Sequence, residues 1–327
     1  VLLVILKEKN PLKQKKLNMK ILGIGNAIVD VICKVDENFI SQNNLTKSNM
    51  KLIFDEIEFK KIFSNLVIEK TVSGGSVANS IVGLSQLGNK VAFIGKVSDD
   101  DLGKEYEEGL KKEKVEYIYS KKKETLPTGT CLILITPDSE RTMCTFLGTA
   151  GKINENDIDV KSIKKSEMIF LEGYLWDEGG PKKAFDKSIK NAHKIAMSLS
   201  DKFCVDRHKP HFLELVRNKL DITFANEDEI SSLINAKNLN DIIDFGKEIK
   251  KILVITRGEK GAISINNDKV TEINVNQDLK IVDLTGAGDL FAAGYLHGYL
   301  NNFLEEDCLK KGTDMASKII QKIGARL

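Results

Sequence analysis

Charge of one sign, paired cysteines and long apolar runs are all missing from this chain, and each absence removes a class of function. In 327 residues, 49 Lys and Arg stand against 47 Asp and Glu, a formal net charge of +2. Nothing there suggests a nucleic-acid or membrane partner, and the acids and lysines are interspersed rather than blocked. The five cysteines (Cys33, Cys131, Cys144, Cys204 and Cys308) are scattered, odd in number and form no Cys-x-x-Cys pair. Neither a disulfide framework nor a zinc site is expected, and a reducing cytoplasm is the expected compartment. Val1 to Leu6 is apolar, but six residues are too few for a signal core or a membrane span. Residues 1–18 read as a poorly ordered upstream extension, with Met19 as the expected native start. Internal repeats and low-complexity segments are missing too. Two phosphate-binding signatures are incomplete. Gly23-x-Gly25 has Ile28 at the third glycine position, with strand-like residues where a helix should open, and Gly95-Lys96 runs into Val97 rather than Ser or Thr.

What is present is globular, 42% hydrophobic and 29% charged, and long enough for one large α/β domain plus a small element. After Gly151, brief apolar strands at 168–171, 194–199, 221–224 and 252–255 alternate with helical segments, notably 181–193, 210–218 and 228–235. That rhythm predicts a mostly parallel sheet covered on both faces, with ligands beyond the carboxyl ends of its strands. Asp201, Asn226, Arg257 and the turn 283–289 fall just past such ends. Earlier in the chain, 21–25 and 91–95 read as strands, and 55–63 and 101–112 as helices. A further helix opens within 71–80. Short strands at 115–119, 130–135 and 141–146, with turns at Pro127, Gly129 and Pro137-Asp138, join 27–53 in a small sheet outside the main one. The expected division is a core of 19–26, 54–114 and 148–327, with a small β lid of 27–53 and 115–147.

The chemistry concentrates in Asp283-Leu284-Thr285-Gly286-Ala287-Gly288-Asp289-Leu290-Phe291. It follows an expected short strand, 280–282, and runs into an apolar helix. A helix starting in Gly286-Ala287-Gly288 exposes unpaired N–H donors and a positive dipole end, a site suited to a phosphoryl group. Asp289 beside it reads either as a first-turn cap or as a general base acting on a hydroxyl. Gly74-Gly75 lets a ligand approach the main chain closely, and Asn79 lies one turn into the following helix; a tight glycine turn before a core helix would look the same. Asn226-x-x-Glu229 is either a capped acidic helix start or part of a metal–phosphate site.

The nine-residue run Asp283 to Phe291 resembles the signature of the ribokinase (PfkB) family of carbohydrate and nucleoside kinases, with Leu284 where Thr or Asn is usual. The resemblance extends over nearly the whole chain from Met19 and implies a ribokinase-like α/β fold with a small β-sheet lid. It places the anion hole on Gly286, Ala287 and Gly288 and the base on Asp289. Asn226 and Glu229 fall near Mg²⁺-bound phosphates, Glu229 through water. Thr256 and Gly258, in Thr256-Arg257-Gly258, fall on the loop that contacts ATP. Glu140-Arg141-Thr142 resembles a segment whose arginine reaches the cleft, although a solvated arginine on an edge strand would read alike. A family Asp-x-Asn-x-Arg element is missing. Leu199-Ser200-Asp201-Lys202-Phe203 and Gly25-Asn26-Ala27-Ile28-Val29-Asp30 instead resemble the adenosine kinase branch. By that likeness Asp30 and Asn79 bind ribose hydroxyls, Gly74-Gly75 touch the sugar, and Asn26 supports the pocket. Cys131, Tyr174 and Trp176 are candidates for the wall around a base, or core residues.

The expected activity is therefore ATP-dependent phosphorylation of a nucleoside 5′-hydroxyl, adenosine to AMP, as in purine salvage, with Mg²⁺. Alternatives are a ribokinase- or fructokinase-like sugar kinase and a non-catalytic nucleotide-binding protein. The partner is a small molecule, with neither nucleic acid nor membrane. A K⁺ requirement, known in some relatives, stays open, as does the choice between a monomer and a homodimer formed through the lid.

Overall fold

The structure is a computed structural model that describes residues 19–120, 122–138, 140–275 and 278–327. The expectation for residues 1–18 lies outside the described residues. In chain order the strands are β1 (Met19–Ile24), β2 (Ile28–Lys34), β3 (Met50–Ile53), β4 (Ile68–Ser73), β5 (Val91–Ile94), β6 (Glu116–Tyr117) and β7 (Gly129–Ile135). They continue as β8 (Arg141–Phe146), β9 (Ser166–Glu172), β10 (Ile195–Ser198), β11 (Ile222–Asn226), β12 (Ile252–Thr256), β13 (Ala262–Asn266) and β14 (Lys269–Ile273). Nine of them form one sheet in the order β14-β13-β12-β11-β10-β9-β1-β5-β6, parallel from β12 to β6. The remaining five form a second, mixed sheet in the order β3-β8-β7-β2-β4. This is the ribokinase-like α/β arrangement.

The central strands are apolar along their whole length because helices cover both faces of the sheet. Two clusters of buried side chains, one centred on Ile21, Phe93 and Phe170 and the other on Leu22, Ile169 and Val205, occupy those faces. The helix Ala287–Leu300 is apolar nearly all round and lies buried between the sheet and the helices Ser76–Gln86 and Glu305–Ile319.

Strand order reverses at β1: the chain leaves it for the small sheet, returns to β5 on one side, and later places β9 on the other. The two strand ends that diverge there, Gly25-Asn26 and Glu172, open a crevice of the kind where α/β sheets bind ligands. The helix Asp101–Lys112 braces the crossing point. Its Tyr106 hydroxyl donates to the Gly74 carbonyl at 3.2 Å, and Ser73 Oγ donates to the Tyr106 carbonyl at 3.1 Å.

Several local expectations need correction. β4 belongs to the small sheet although 54–114 reads as core, and β6 pairs with β5 of the large sheet although 115–119 reads as lid. Both are edge strands with little alternation, so pairing partners rather than composition decide their sheet. The helix read within 71–80 starts at Ser76, because Thr71–Ser73 completes β4. The helix at 210–218 begins already at Lys202, capped by Asp201, and crosses Pro210 through a non-helical His208. Residues 280–282 form no strand. Ile281 and Val282 are 62% and 47% exposed, and the amides of Val282 and Asp283 both donate to the Ile320 carbonyl. Among the described residues β14 pairs only with β13, and this segment runs as a loop along the end of the last helix.

Candidate active site

A cavity of about 600 Å³ lies between the carboxyl ends of the large sheet and one face of the small one. Asn26, Glu172, Ser198, Asn226 and Thr256 enter it from successive strand ends, and Asp30, Leu52, Cys131 and Met143 from the small sheet. The loop Leu284–Asp289 forms the wall between them.

Gly286 caps the helix Ala287–Leu300 with φ +79°, and no side chain caps it. A Cβ on Gly286 would sit 2.7 Å from Ala325, so both backbone and space select glycine there. A Cβ on Gly288 would meet nothing within 4 Å, which leaves the approach to its amide open. Ala287 already spends its N–H on the Leu284 carbonyl at 3.2 Å, and the amides of Gly286 and Gly288 find no acceptor among the described residues. The loop is held from behind by Asp283, which accepts from Thr285 N at 3.1 Å, Thr285 Oγ1 at 2.8 Å and Gly324 N at 2.7 Å.

Asp289 is half-buried, with its carboxylate fixed by Ser76 Oγ at 2.6 Å and Asn79 Nδ2 at 3.0 Å. Burial lifts its pKa to about 6, and the bonds from Ser76 and Asn79 and the charge of Arg326 limit the rise. That value suits a base near neutrality. Asp30 is lifted to about 7, by burial first, with Arg326 opposing and Asp289 adding to the rise. Gly74 lies against it so closely that a Cβ there would fall 2.4 Å from Asp30 Oδ2. Asn26 presents a buried Oδ1 with no partner, while its Nδ2 donates to Glu172 Oε1 at 3.0 Å. A buried acceptor left unpaired in a cavity wall is a place for a ligand O–H.

At the other end, Asn226 and Glu229 form a closed capping box. Asn226 N and Nδ2 donate to the two Glu229 oxygens at 3.0 and 2.6 Å, and Glu229 N donates to Asn226 Oδ1 at 2.8 Å. Burial raises Glu229 to about 7. No group of three or more His, Cys, Asp or Glu side chains suited to a metal ion occurs among the described residues. The pair nevertheless faces the cavity, and each carboxylate oxygen keeps lone pairs beyond its one donor. Those residues fit a hydrated Mg²⁺ reached through water, not a directly ligated one.

The structure thus brings Asn26, Asp30, Gly75, Asn79, Asn226, Glu229, Thr256, Gly286, Ala287, Gly288 and Asp289 onto one cavity. Gly74 stands behind Asp30, and Gly258 opens a short 3₁₀ turn off the cavity wall. Arg141 is ion-paired with Asp283, and its strand β8 is interior to the small sheet, not an edge. Tyr174 reaches the cavity, whereas Trp176 is packed between His208 and His211. Sequence reading passed over Ser76, Glu172, Asp283 and Arg326. Glu172 carried a usable signal, a lone carboxylate ending an apolar strand. It is 1% exposed and accepts from Asn26 and from Val77 N at 3.0 Å. Arg326 carried none.

A ribokinase-like fold with unpaired amides and a half-buried carboxylate at a helix start defines a class of phosphotransferase. Residues 49–327 match the pfkB family of carbohydrate kinases, and the chain belongs to that family. It is similar to a probable sugar kinase from Rhizobium etli, with a TM-score of 0.85, 35% identity and 94% of each chain covered. Its likeness to the adenosine kinase from Sinorhizobium meliloti has the same TM-score, 33% identity, and covers 94% of this chain and 96% of that one. The 5-dehydro-2-deoxygluconokinase of Mesomycoplasma hyopneumoniae is 25% identical over 288 residues, 82% of this chain and 84% of its own. No helix among the described residues is long and apolar enough to cross a membrane.

Proposed function

We propose that the protein transfers the γ-phosphoryl group of ATP to the 5′-hydroxyl of a nucleoside, adenosine foremost. The observation that carries this reading is the wall of the acceptor half of the cavity. Ile28, Leu52, Cys131 and Met143 line it from the small sheet and Leu147 from just after it, and the rings of Tyr174 and Phe203, 39% and 59% exposed, line it from the turn after β9 and the start of the helix Lys202–Asn218. An apolar slot with two accessible rings suits a flat heterocycle, whereas a free sugar would leave that surface unmatched.

In this reading Asp30 accepts hydrogen bonds from the vicinal ribose hydroxyls, and Asn26 Oδ1 accepts a further O–H. Asp289 takes the proton of the attacking hydroxyl, held in line by Ser76 and Asn79. The amides of Gly286 and Gly288 face the charge that develops on the transferred group. Asn226 and Glu229 would hold a hydrated Mg²⁺, which would supply positive charge to the nucleotide phosphates, and Thr256 would adjoin the nucleotide. The small sheet, tied to the anion loop through Arg141 and Asp283, covers the acceptor and keeps water from the phosphoryl group.

A sugar kinase is the second reading. It draws on the convergence of Asn26, Asp30, Asn79 and Glu172, more polar groups than two ribose hydroxyls require, and on the likeness to a sugar kinase. Initial rates of ADP release with adenosine, inosine, ribose and fructose separate the two. Adenosine should lead in kcat/KM by ~10²-fold, the scale of discrimination that one well-matched pocket supplies. A lead for ribose or fructose transfers the assignment to the second reading. Tight ATP binding without turnover of any acceptor would instead mark a non-catalytic protein.

A further inference from the structure

Arg326 lies behind the acceptor end of the cavity and outside every motif that identifies the site. Its Nε donates to Asn79 Oδ1 at 3.2 Å, and its Nη2 is buried with no acceptor. Asn79 in turn donates through Nδ2 to Asp289 Oδ2 at 3.0 Å. A guanidinium is a donor only, so contact with Arg326 forces the amide oxygen of Asn79 inward toward the arginine and its NH₂ outward toward Asp289. A flipped amide would turn an oxygen lone pair on the carboxylate it now supports. The arrangement of charges agrees with this. Asp289 is faced by Asp30 from β2, by Glu172 and Tyr174 from the end of β9, and by Arg326. Arg326 is faced by Tyr106 and Glu113 from the bracing helix and by Asp30 and Asp289. Two half-buried carboxylates therefore share one cation whose charge does not titrate in the working range.

We propose that Arg326 is a positioning residue for phosphoryl transfer: it fixes the orientation of the Asn79 amide toward Asp289 and is the common counter-charge of Asp289 and Asp30. The idea rests on the reading of Asp289 as the base, but it concerns a coupling that can be measured without turnover. Protein labelled with ¹³C at aspartate carboxyls, with Asp289 assigned by loss of its signal in Asp289→Asn, gives the titration of that group directly. In Arg326→Gln the Asp289 midpoint should rise by about one pH unit, the lower end of what a nearby opposite charge contributes. In Arg326→Lys the midpoint should stay near that of the parent protein. Its kcat should nevertheless fall ~10-fold, because an ammonium on a flexible stem does not hold the amide in one orientation. An unmoved Asp289 midpoint in Arg326→Gln overturns the proposal, and so does a parental kcat in Arg326→Lys, the variant that decides if the glutamine protein does not fold. Parent protein that phosphorylates no acceptor would remove the base reading and leave the titration result standing on its own.

Discussion

Two helix starts open onto the same cavity with nearly the same ingredients and opposite finish. At Asn226 the helix Glu227–Ile234 is capped on both sides: the Asn side chain takes the Glu229 amide, and the Glu229 side chain takes the Asn226 amide. At Gly286 the helix Ala287–Leu300 has no side-chain cap, and its acid, Asp289, points away from its own backbone to Ser76 and Asn79 on another helix. Burial raises both carboxylates, to about 7 and about 6. The first end has satisfied itself and offers only the outer lone pairs of its oxygens. The second has left donors unpaired and a carboxylate held by Ser76 and Asn79 in the cavity wall. A capping box stabilises its helix; its omission leaves a site for an anion.

Experiments that break one end at a time sharpen this contrast. The largest effect is expected from Asp289→Asn, which should lower kcat by at least ~10²-fold with the fold intact, the range for a lost general base. Turnover near the parent level would remove Asp289 from that role. Next is Gly286→Ala, which must adopt φ +79° and meet Ala325 at 2.7 Å. It should cost about 1–3 kcal/mol of stability and displace the anion loop, lowering kcat ~10-fold or more; an unchanged Tm would mean that the loop yields without strain. Asp30→Ala should act mainly on the acceptor KM, raising it roughly 10- to 100-fold for the loss of hydrogen bonds to a charged group, and an unaltered KM would separate Asp30 from the sugar. Glu229→Gln should do least to kcat. It replaces one of the two oxygens that accept from Asn226 N and Nδ2, at about 0.5–1.5 kcal/mol for one hydrogen bond, and should change the dependence of the rate on Mg²⁺ concentration. A kcat loss as large as that of Asp289→Asn would erase the distinction between the two ends.

Acidity tests the same contrast in a second way. The rate should fall as pH drops through about 6, where Asp289 gains its proton. Stability without ligand should run the other way. Asp30, Glu172 and Glu229 ordinarily titrate near 3.8 to 4.5 and are raised to about 7 in the folded chain. Between those limits the native protein keeps protons that the unfolded chain has released. Their contribution is complete below the ordinary carboxylate range and is lost as pH rises through about 7, so Tm should decline over that window. A flat Tm there would show that these groups are already ionised in the native state.

Much of the site was legible because it is written in short local runs. Gly286-Ala287-Gly288-Asp289, Gly74-Gly75 and Asn226-x-x-Glu229 each set small or capping residues at a helix start, and spacing along the chain is enough to show that local structure. The alternation after Gly151 likewise exposed the parallel sheet, because brief, largely apolar strands alternate with helices that are mostly apolar on one face. Less could be read where partners are distant. The assignment of β4 and β6 to their sheets depends on which strand edge is vacant. The loop at 280–282 looked like a strand because three apolar residues in a row carry no information about whether an edge is within reach. Arg141 gave no sign that it meets Asp283 rather than the cleft.

The sequence by itself determined the kind of chemistry, since a helix opened by small residues and followed by an acid limits what can bind there whatever surrounds it. Only the tertiary structure decided which of two similar helix starts closes on itself and which stays open. It also brought Asp30, Glu172, Asp289 and Arg326, separated by long stretches of chain, into one interacting set. The physical reason is that a cap is a matter of three or four residues, whereas burial and the sharing of a charge belong to the packed whole.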